Sequence, residues 1–356
     1  MHFDETQKVS IFKAGNILRR YLKCGLVPML HGSPAIGKSA LVKNLAKEFN
    51  LLVIDERLSQ CDPTDLKGLP DLAGDRATFK TFDHLPLEGD KIPAGYNGWL
   101  LFLDEINSAD DTRQAAAYKL VLDRMVGHKN LHPSVAIVAA GNLETDGAIV
   151  NPLSSALISR FVHLYVEHDL KSWLNNVALP NGYSSVITSY LEFQPNAFYT
   201  FDPANEGQIY AAPRTWEFAN ALISDMVSDS NGQVHTILNS MENRVALAGA
   251  IGMGNVVTFK AFVDYYESVP KAEDLINNPE TVSVPEDNPG LLCAICGAIG
   301  EIMDAENAEQ LLKYINRLPA DYRVVALKGA VKRRGAGLIS VPAISNWMMA
   351  NADKLL

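Results

Sequence analysis

The stretch His31–Ser39, HGSPAIGKS, decides the fold of this 356-residue chain. From Gly32 to Ser39 it has the spacing GxxxxGK[ST], and its surroundings are the ones that spacing demands. The apolar run VPMLHG before it reads as a buried strand. SALVKNLAKEF after it reads as an amphipathic helix. Glycines in a loop between strand and helix let the backbone wrap closely around phosphate oxygens, with N–H groups turned inward. The helix that starts there adds its positive end. Lys38 can reach the terminal phosphates, and the Ser39 hydroxyl can ligate Mg²⁺. The expected nucleotide-binding segment is Gly32, Ser33, Pro34, Ala35, Ile36, Gly37, Lys38, Ser39 and Ala40.

Such a loop needs an acidic partner at the end of a neighbouring strand. WLLFLDE (99–105) supplies it, with Asp104 lying 104 − 38 = 66 residues beyond Lys38. Asp104 would hold Mg²⁺, directly or through water, and Glu105 is placed to polarise the attacking water, a hydrolase pattern. Further apolar runs, LLVIDERL (51–58), VAIVAAGN (135–142) and FVHLYVEH (161–168), alternate with helical stretches such as DDTRQAAAYKLVLDRM. That alternation predicts an α/β fold, a P-loop NTPase parallel sheet with helices on both faces. Ser10 is the expected N-cap of a helix over 10–24. Asn142 ends one strand, where its amide could orient water near the γ-phosphate or simply form a turn in a Gly-Asn pair. Arg160, in SSALISRF, could face an adjacent subunit's nucleotide or make a surface salt bridge. Arg214, in AAPRTWEFAN, opens a helix and could close over the phosphates from a second domain.

Past about residue 169 helical periods dominate, broken by proline-bearing loops such as VALPNGY and VSVPEDNPG. The expected organisation is an α/β nucleotide-binding domain over 1–170, a helical linker region over 171–212, and an α-helical lid and C-terminal region over 213–356. Acidic residues number 41 and basic residues 31, a formal charge of −10 that argues against a general nucleic-acid coat protein. The basic run VKRRGAG (331–337) reads as a helix end at the surface. The start MHFDETQKVS is polar, and no apolar run reaches the roughly 18–20 residues of a membrane span, so a cytoplasmic protein is expected. Cys24, Cys61, Cys293 and Cys296 fit a reduced compartment. The pair Cys293 and Cys296, in LLCAICGAIG, has no second ligand pair nearby for zinc and reads as two buried cysteines on an apolar helix.

Taken in order, HGSPAIGKS, FLDEINSA, VAIVAAGN, SALISRF and APRTWE resemble an AAA+ ATPase. More narrowly they resemble the MoxR-like ATPases, which commonly write the Walker B strand as DEIN, and TRQAAAYKLVLDRM resembles that family's TQxALLxxM helix. The likeness spans about residues 28–220, with a fainter match over FKAFVDYYESVPKAEDLINNPETVSVPEDNP. It implies hydrolysis of ATP with Mg²⁺: Gly32, Gly37, Lys38 and Ser39 for nucleotide and metal, Asp104 and Glu105 for metal and water, Asn142 as sensor 1, Arg160 as arginine finger and Arg214 as sensor 2. It also implies a homo-oligomeric, hexameric ring that remodels or matures a protein client, the expected client class carrying a metal-binding adhesion-type (VWA) domain. The rivals are a nucleic-acid motor or loader, and a nucleotide-gated switch with little turnover, against which the intact Glu105 argues.

The chain departs from the family after DEIN, where an arginine is common and this sequence has Ser108; Arg113 or Arg124 could take over its intersubunit contact. The long segment 67–98 occupies the place of a pore-facing insertion. Phe79, Phe82 and His84 are candidates there for gripping a polypeptide, the alternative being a β-hairpin packed on its own subunit. RMVGHKNLHPS (124–134) could hold a second short insertion.

Overall fold

The computed structural model describes residues 8–73, 75, 78–146, 151–205 and 207–351. They divide into two compact units. The first runs to Asp169 and includes a short segment beginning at Asp202; the second comprises Leu170–Phe201 and the chain from Gly207 onward.

The first unit is a six-stranded parallel sheet with helices on both faces. Its strands are β1 (Lys8–Ser10), β2 (Pro28–His31), β3 (Leu51–Arg57), β6 (Gly98–Asp104), β9 (Val135–Gly141) and β10 (Val162–Glu167), in the order β1-β10-β2-β9-β6-β3. Five of them are the apolar runs of the sequence. The sixth, β1, is only three residues long and too short to show a period; it pairs in parallel with β10, Lys8 opposite Tyr165. Two hairpins leave the sheet: β4 (Leu69–Asp71) with β5 (Thr78–Lys80), and β7 (Met125–Val126) with β8 (Lys129–Asn130).

Strand β6 shows why the sheet is covered on both sides. Leu100, Leu101, Phe102 and Leu103 alternate in direction yet all are fully buried. Each such side chain contributes roughly 1.5–3 kcal/mol relative to exposure. On one face Leu101 and Leu103 join Ala116, Ala117 and Leu120 of α4 (Asp111–Leu122) in a single core. Helices α1 (Ile11–Lys23) and α2 (Lys38–Phe49) pack together, and α2 lies on β3, β6 and β9. Ser10 caps α1 as expected, its hydroxyl accepting from the Lys13 amide at 3.3 Å. Short helices α3 (Pro63–Lys67) and α5 (Ser155–Ile158) complete the unit. Register brings His31 opposite Gly141 and Tyr165, and Arg57 opposite Asp104, so the strand ends form one carboxyl edge. Open α/β sheets bind ligands at that edge.

The second unit is helical. The segment 171–212, read from sequence as a linker, contributes buried Trp173, Tyr190 and Phe198 to it. Helix Pro289–Ile302 packs against Ser185–Phe193 and Ala320–Arg334. Its Ile295 and Ile299 share a core with Leu311, Tyr314 and Leu327. Cys293 and Cys296 are buried free thiols on this helix; burial pushes the Cys293 thiol up to about 12 and raises Cys296 also, so neither is reactive. No helix among the described residues is long and apolar enough to cross a membrane.

The helix contact depends on Gly297. A Cβ there would collide with Ser189 Oγ and lie 3.2 Å from Ser185 Cβ. Gly297→Val should lower unfolding stability by about 1–3 kcal/mol through overpacking. Chemical denaturation checks this, and an unchanged midpoint would mean the two helices do not meet at this residue.

Candidate nucleotide site

The loop between β2 and α2 is built for close approach. Gly37 is in the left-handed region (φ 107°) at the N-cap of α2, and no side chain caps that helix. A helix start without a side-chain cap among the described residues suits an acceptor from outside the helix. Gly32 has no room for a side chain, since a Cβ would come within 2.7 Å of Ile36 Cδ1 and Val166 Cγ2. Ala35 is also left-handed (φ 60°), a strained conformation for a residue with a Cβ.

Lys38 is only 8% exposed, so its ammonium must find oxygens. Its Nζ donates to Gly32 O at 2.5 Å, Ser33 O at 3.0 Å and Asn142 Oδ1 at 3.1 Å. The neighbouring Ser39 Oγ donates to Asp104 Oδ2 at 2.9 Å, while Asp104 Oδ1 accepts from the Glu105 amide at 2.9 Å. Burial raises the Asp104 carboxyl above its usual range; the two hydrogen bonds and the Lys38 charge oppose that shift. Glu105 is left-handed (φ 56°), and its Oε2 accepts a hydrogen bond from the Ser59 hydroxyl. The sheet thus brings together Lys38, Ser39, Asp104, Glu105 and Asn142, contributed by three different strand ends.

Ser59 and Asp146 at this edge gave no signal in the sequence, and Asn107 stood there only as the last residue of DEIN, without a task. Ser59 lies just past β3 and holds Glu105. Asp146, 7% exposed, accepts from Ser33 Oγ at 3.0 Å and from the Leu143 amide at 3.1 Å. Burial raises its carboxyl, and the Ser33 hydrogen bond works against the rise. Asn107, 4% exposed, bonds the backbone of Asn142. A lone Ser, Asn or Asp in a turn is so common that only the three-dimensional partner distinguishes it.

The remaining candidates are placed as follows. Arg160 follows α5 and is exposed, with no side-chain partner among the described residues. Arg214 is exposed in the first turn of the helix Pro213–Asp229, in the second unit. Arg113 donates to Cys61 O at 2.7 Å and to Asp110 Oδ2 at 2.7 Å, and Arg124 donates to Val135 O at 2.5 Å. Both make these bonds within their own unit. Phe79 is exposed on β5, its ring 5.4 Å edge-on from that of His128 in the turn between β7 and β8. Phe82 and His84 are turned inward: both are only part-exposed, and His84 Nε2 lies 3.3 Å from Glu56 Oε1. Of the three candidate grip residues, Phe79 alone is an exposed side chain.

Residues 28–167 match the family described as ATPase family associated with various cellular activities (AAA). The first unit accordingly carries an AAA-type ATPase domain that binds and hydrolyses ATP. Among solved structures, a protein of Cytophaga hutchinsonii described as a candidate ATPase is 16% identical, with 69% of this chain and 82% of that chain covered and a TM-score of 0.35. Two variants of RuvB from Thermotoga maritima are each 16% identical over 86% of both chains, with TM-scores of 0.35 and 0.37. Likenesses at this level carry no argument about what the chain acts on.

His31, the residue before the loop, supplies a pH test. His163 Nε2 lies 2.8 Å from Ile158 O, and a carbonyl only accepts, so that nitrogen carries the hydrogen. His163 Nδ1 then accepts from His31 Nε2 at 2.8 Å. Burial first, then the nearby His163 and Lys38, lower the His31 pKa from 6.5 to about 3. The unfolded chain takes up a proton there near pH 6.5 and the folded chain does not until about pH 3. Stability from this group is therefore complete above pH 6.5 and is lost as pH falls toward 3, by up to about 1.4 kcal/mol per pH unit. Denaturation midpoints of wild type and His31→Gln across this window should diverge in slope, the variant being flatter; equal slopes would mean His31 titrates normally in the fold.

Proposed function

We propose that this chain is a MoxR-like AAA+ ATPase that works as a homo-oligomeric, hexameric ring and uses ATP hydrolysis to remodel or mature a protein client. The observation that carries the reading is the convergence of a buried Lys38, the Ser39–Asp104 pair and a pinned Glu105 at the end of a phosphate loop.

Each residue has a task that its surroundings suit. Lys38 exchanges its carbonyl partners for terminal phosphate oxygens, a switch between oxygens of similar geometry. Ser39 Oγ and the Asp104 carboxylate, 2.9 Å apart, are hard oxygen donors of the kind Mg²⁺ takes, and they would hold it between the loop and β6. When bound, that ion neutralises phosphate charge as the γ-phosphoryl leaves. Glu105 accepts a proton from the attacking water once its carboxylate is released from Ser59. Asn142, beside Lys38, orients that water. Arg160 acts on the nucleotide of a neighbouring subunit, for which its guanidinium is exposed, and Arg214 acts as the second-unit sensor. Phe79 is the residue offered to a client polypeptide.

A client carrying a metal-binding adhesion-type (VWA) domain rests on the resemblance to the MoxR-like ATPases, and a cytoplasmic setting on the four free cysteines. The basic run at 331–337 supports a protein client over nucleic acid. Arg333 donates to Thr188 Oγ1 at 3.3 Å, and Arg334 donates to Met303 O at 3.0 Å and Glu301 O at 2.6 Å, so these guanidiniums are used inside the second unit.

Two experiments test the reading. Lys38→Ala should abolish ATP binding or hydrolysis, whereas Glu105→Gln should keep ATP bound and slow hydrolysis by about 10²–10⁴-fold. A folded Lys38→Ala protein with normal ATPase activity would remove the site assignment. For the shared site, Arg160→Ala and Lys38→Ala subunits should each be inactive and recover part of the activity when mixed, because some interfaces then regain both groups. Normal hydrolysis by Arg160→Ala alone would exclude it as a finger.

A further inference from the structure

Strands β6 and β9 stop pairing at Leu103 and Ala139, yet the chain of β9 runs on through Gly141 to Asn142. Beyond the last paired residues, the side chain of Asn107 takes the place of the missing strand. Its Nδ2 donates to Asn142 O at 2.7 Å, and its Oδ1 accepts from Asn142 N at 3.2 Å. One donor and one acceptor side by side are what a peptide group offers, so the carboxamide continues the ladder by one step. Gly141 makes room for it, since a Cβ at Gly141 would collide with the Asn107 carboxamide. The Asn107 backbone is held in turn: its carbonyl accepts from Asn151 N at 2.6 Å, within a buried group where Gln114 Nε2 donates to Ala109 O at 3.1 Å.

We infer that Asn107 is a positioning residue that clamps the Asn142 peptide and so aims the Asn142 side chain at Lys38. With residue 142 held on both its N–H and its C=O, the Asn142 side chain has only its own rotamers left to choose among. The one it adopts brings Oδ1 within 3.1 Å of Lys38 Nζ. The clamp is specific to asparagine. Aspartate lacks the donor, serine and threonine are too short, and glutamine is one methylene too long for the space beside Gly141. The inference deepens the ATPase reading, on which its kinetic arm rests.

The test uses the full chain with Asn107→Ala, Asn107→Asp and Gly141→Ala, the last leaving Asn107 in place but driving its carboxamide away. Each should lower kcat about 10- to 100-fold, as a misplaced group does, while KM and the Kd for ATP change by no more than about threefold. In an Asn142→Ala background, Asn107→Ala should cost no more than about threefold in kcat, because Asn107 acts through Asn142. Full kcat in all three variants, a Kd that moves as far as kcat, or an undiminished loss in the Asn142→Ala background would each overturn the inference. A second readout needs no nucleotide. The Asn142 amide should exchange its hydrogen about tenfold faster in Asn107→Ala, from the loss of one buried hydrogen bond. Unchanged exchange would overturn the clamp whatever the ATPase result. Normal ATPase activity in Lys38→Ala would instead remove the ATP site assignment, leaving the exchange experiment to decide Asn107.

Discussion

A buried ammonium is tolerated only where oxygens surround it, and Lys38 is the charge around which this site is arranged. The oxygens it meets include two carbonyls of the loop itself and the Asn142 side chain at the end of β9. To bring those oxygens together, the loop must fold back on the Lys38 side chain, which requires the left-handed turns at Ala35 and Gly37 and the absence of a side chain at Gly32. It also requires β9 to lie next to β2 in the sheet, which the order β10-β2-β9-β6 provides. The topology and the phosphate site are thus one constraint met at two scales.

Glu105 shows how the end of a strand is turned to use. In a continued strand, Asp104 and Glu105 would project from opposite faces. The left-handed conformation at Glu105 ends the strand and starts a single turn, in which the Ser108 amide donates to Glu105 O at 2.9 Å. Asp104 is left facing Ser39 and Glu105 facing Ser59. A non-glycine residue in that region carries a cost of order 1–3 kcal/mol, which the surrounding hydrogen bonds offset, and such residues cluster at functional sites. The same turn presents Asn107 to β9, so three polar tasks, those of Asp104, Glu105 and Asn107, fall within four residues of chain.

Much of this was legible in the sequence for a definite reason. Central strands of a parallel sheet are buried on both faces and so appear as unbroken apolar runs, which is why β2, β3, β6, β9 and β10 could be read directly. The phosphate loop and Asp104 were legible because spacing and context carry their meaning. Ser59 and Asp146 were not, since each acts on a residue 46 or 113 positions away that only the sheet register brings near, and Asn107 was legible as part of DEIN but not its partner 35 positions on. The insertion was legible as an insertion but not as an arrangement. Three aromatic rings in one segment were equivalent in sequence, and the β4–β5 hairpin exposes Phe79 while His84 turns back to Glu56. The stretch 171–212 carries Trp173, Tyr190 and Phe198 into the core of the second unit, burial that its helical spacing alone does not assign to one unit or the other.

One further connection within the first unit joins the loop to the arginine that follows α5. His31 ends β2 one residue before Gly32, and its ring stacks on Tyr165 at 4.5 Å and bonds His163. His163 in turn bonds the carbonyl of Ile158, the last residue of α5. The turn that carries Arg160 is also closed by backbone bonds, from Arg160 N to Leu157 O at 2.9 Å and from Phe161 N to Ile158 O at 3.4 Å. The backbone of its turn and the two histidines therefore hold Arg160 in place above the sheet. A guanidinium with an anchored base and an exposed head can meet a group outside its own unit without first giving up a partner among the described residues, so little of such a contact would be spent on breaking existing bonds.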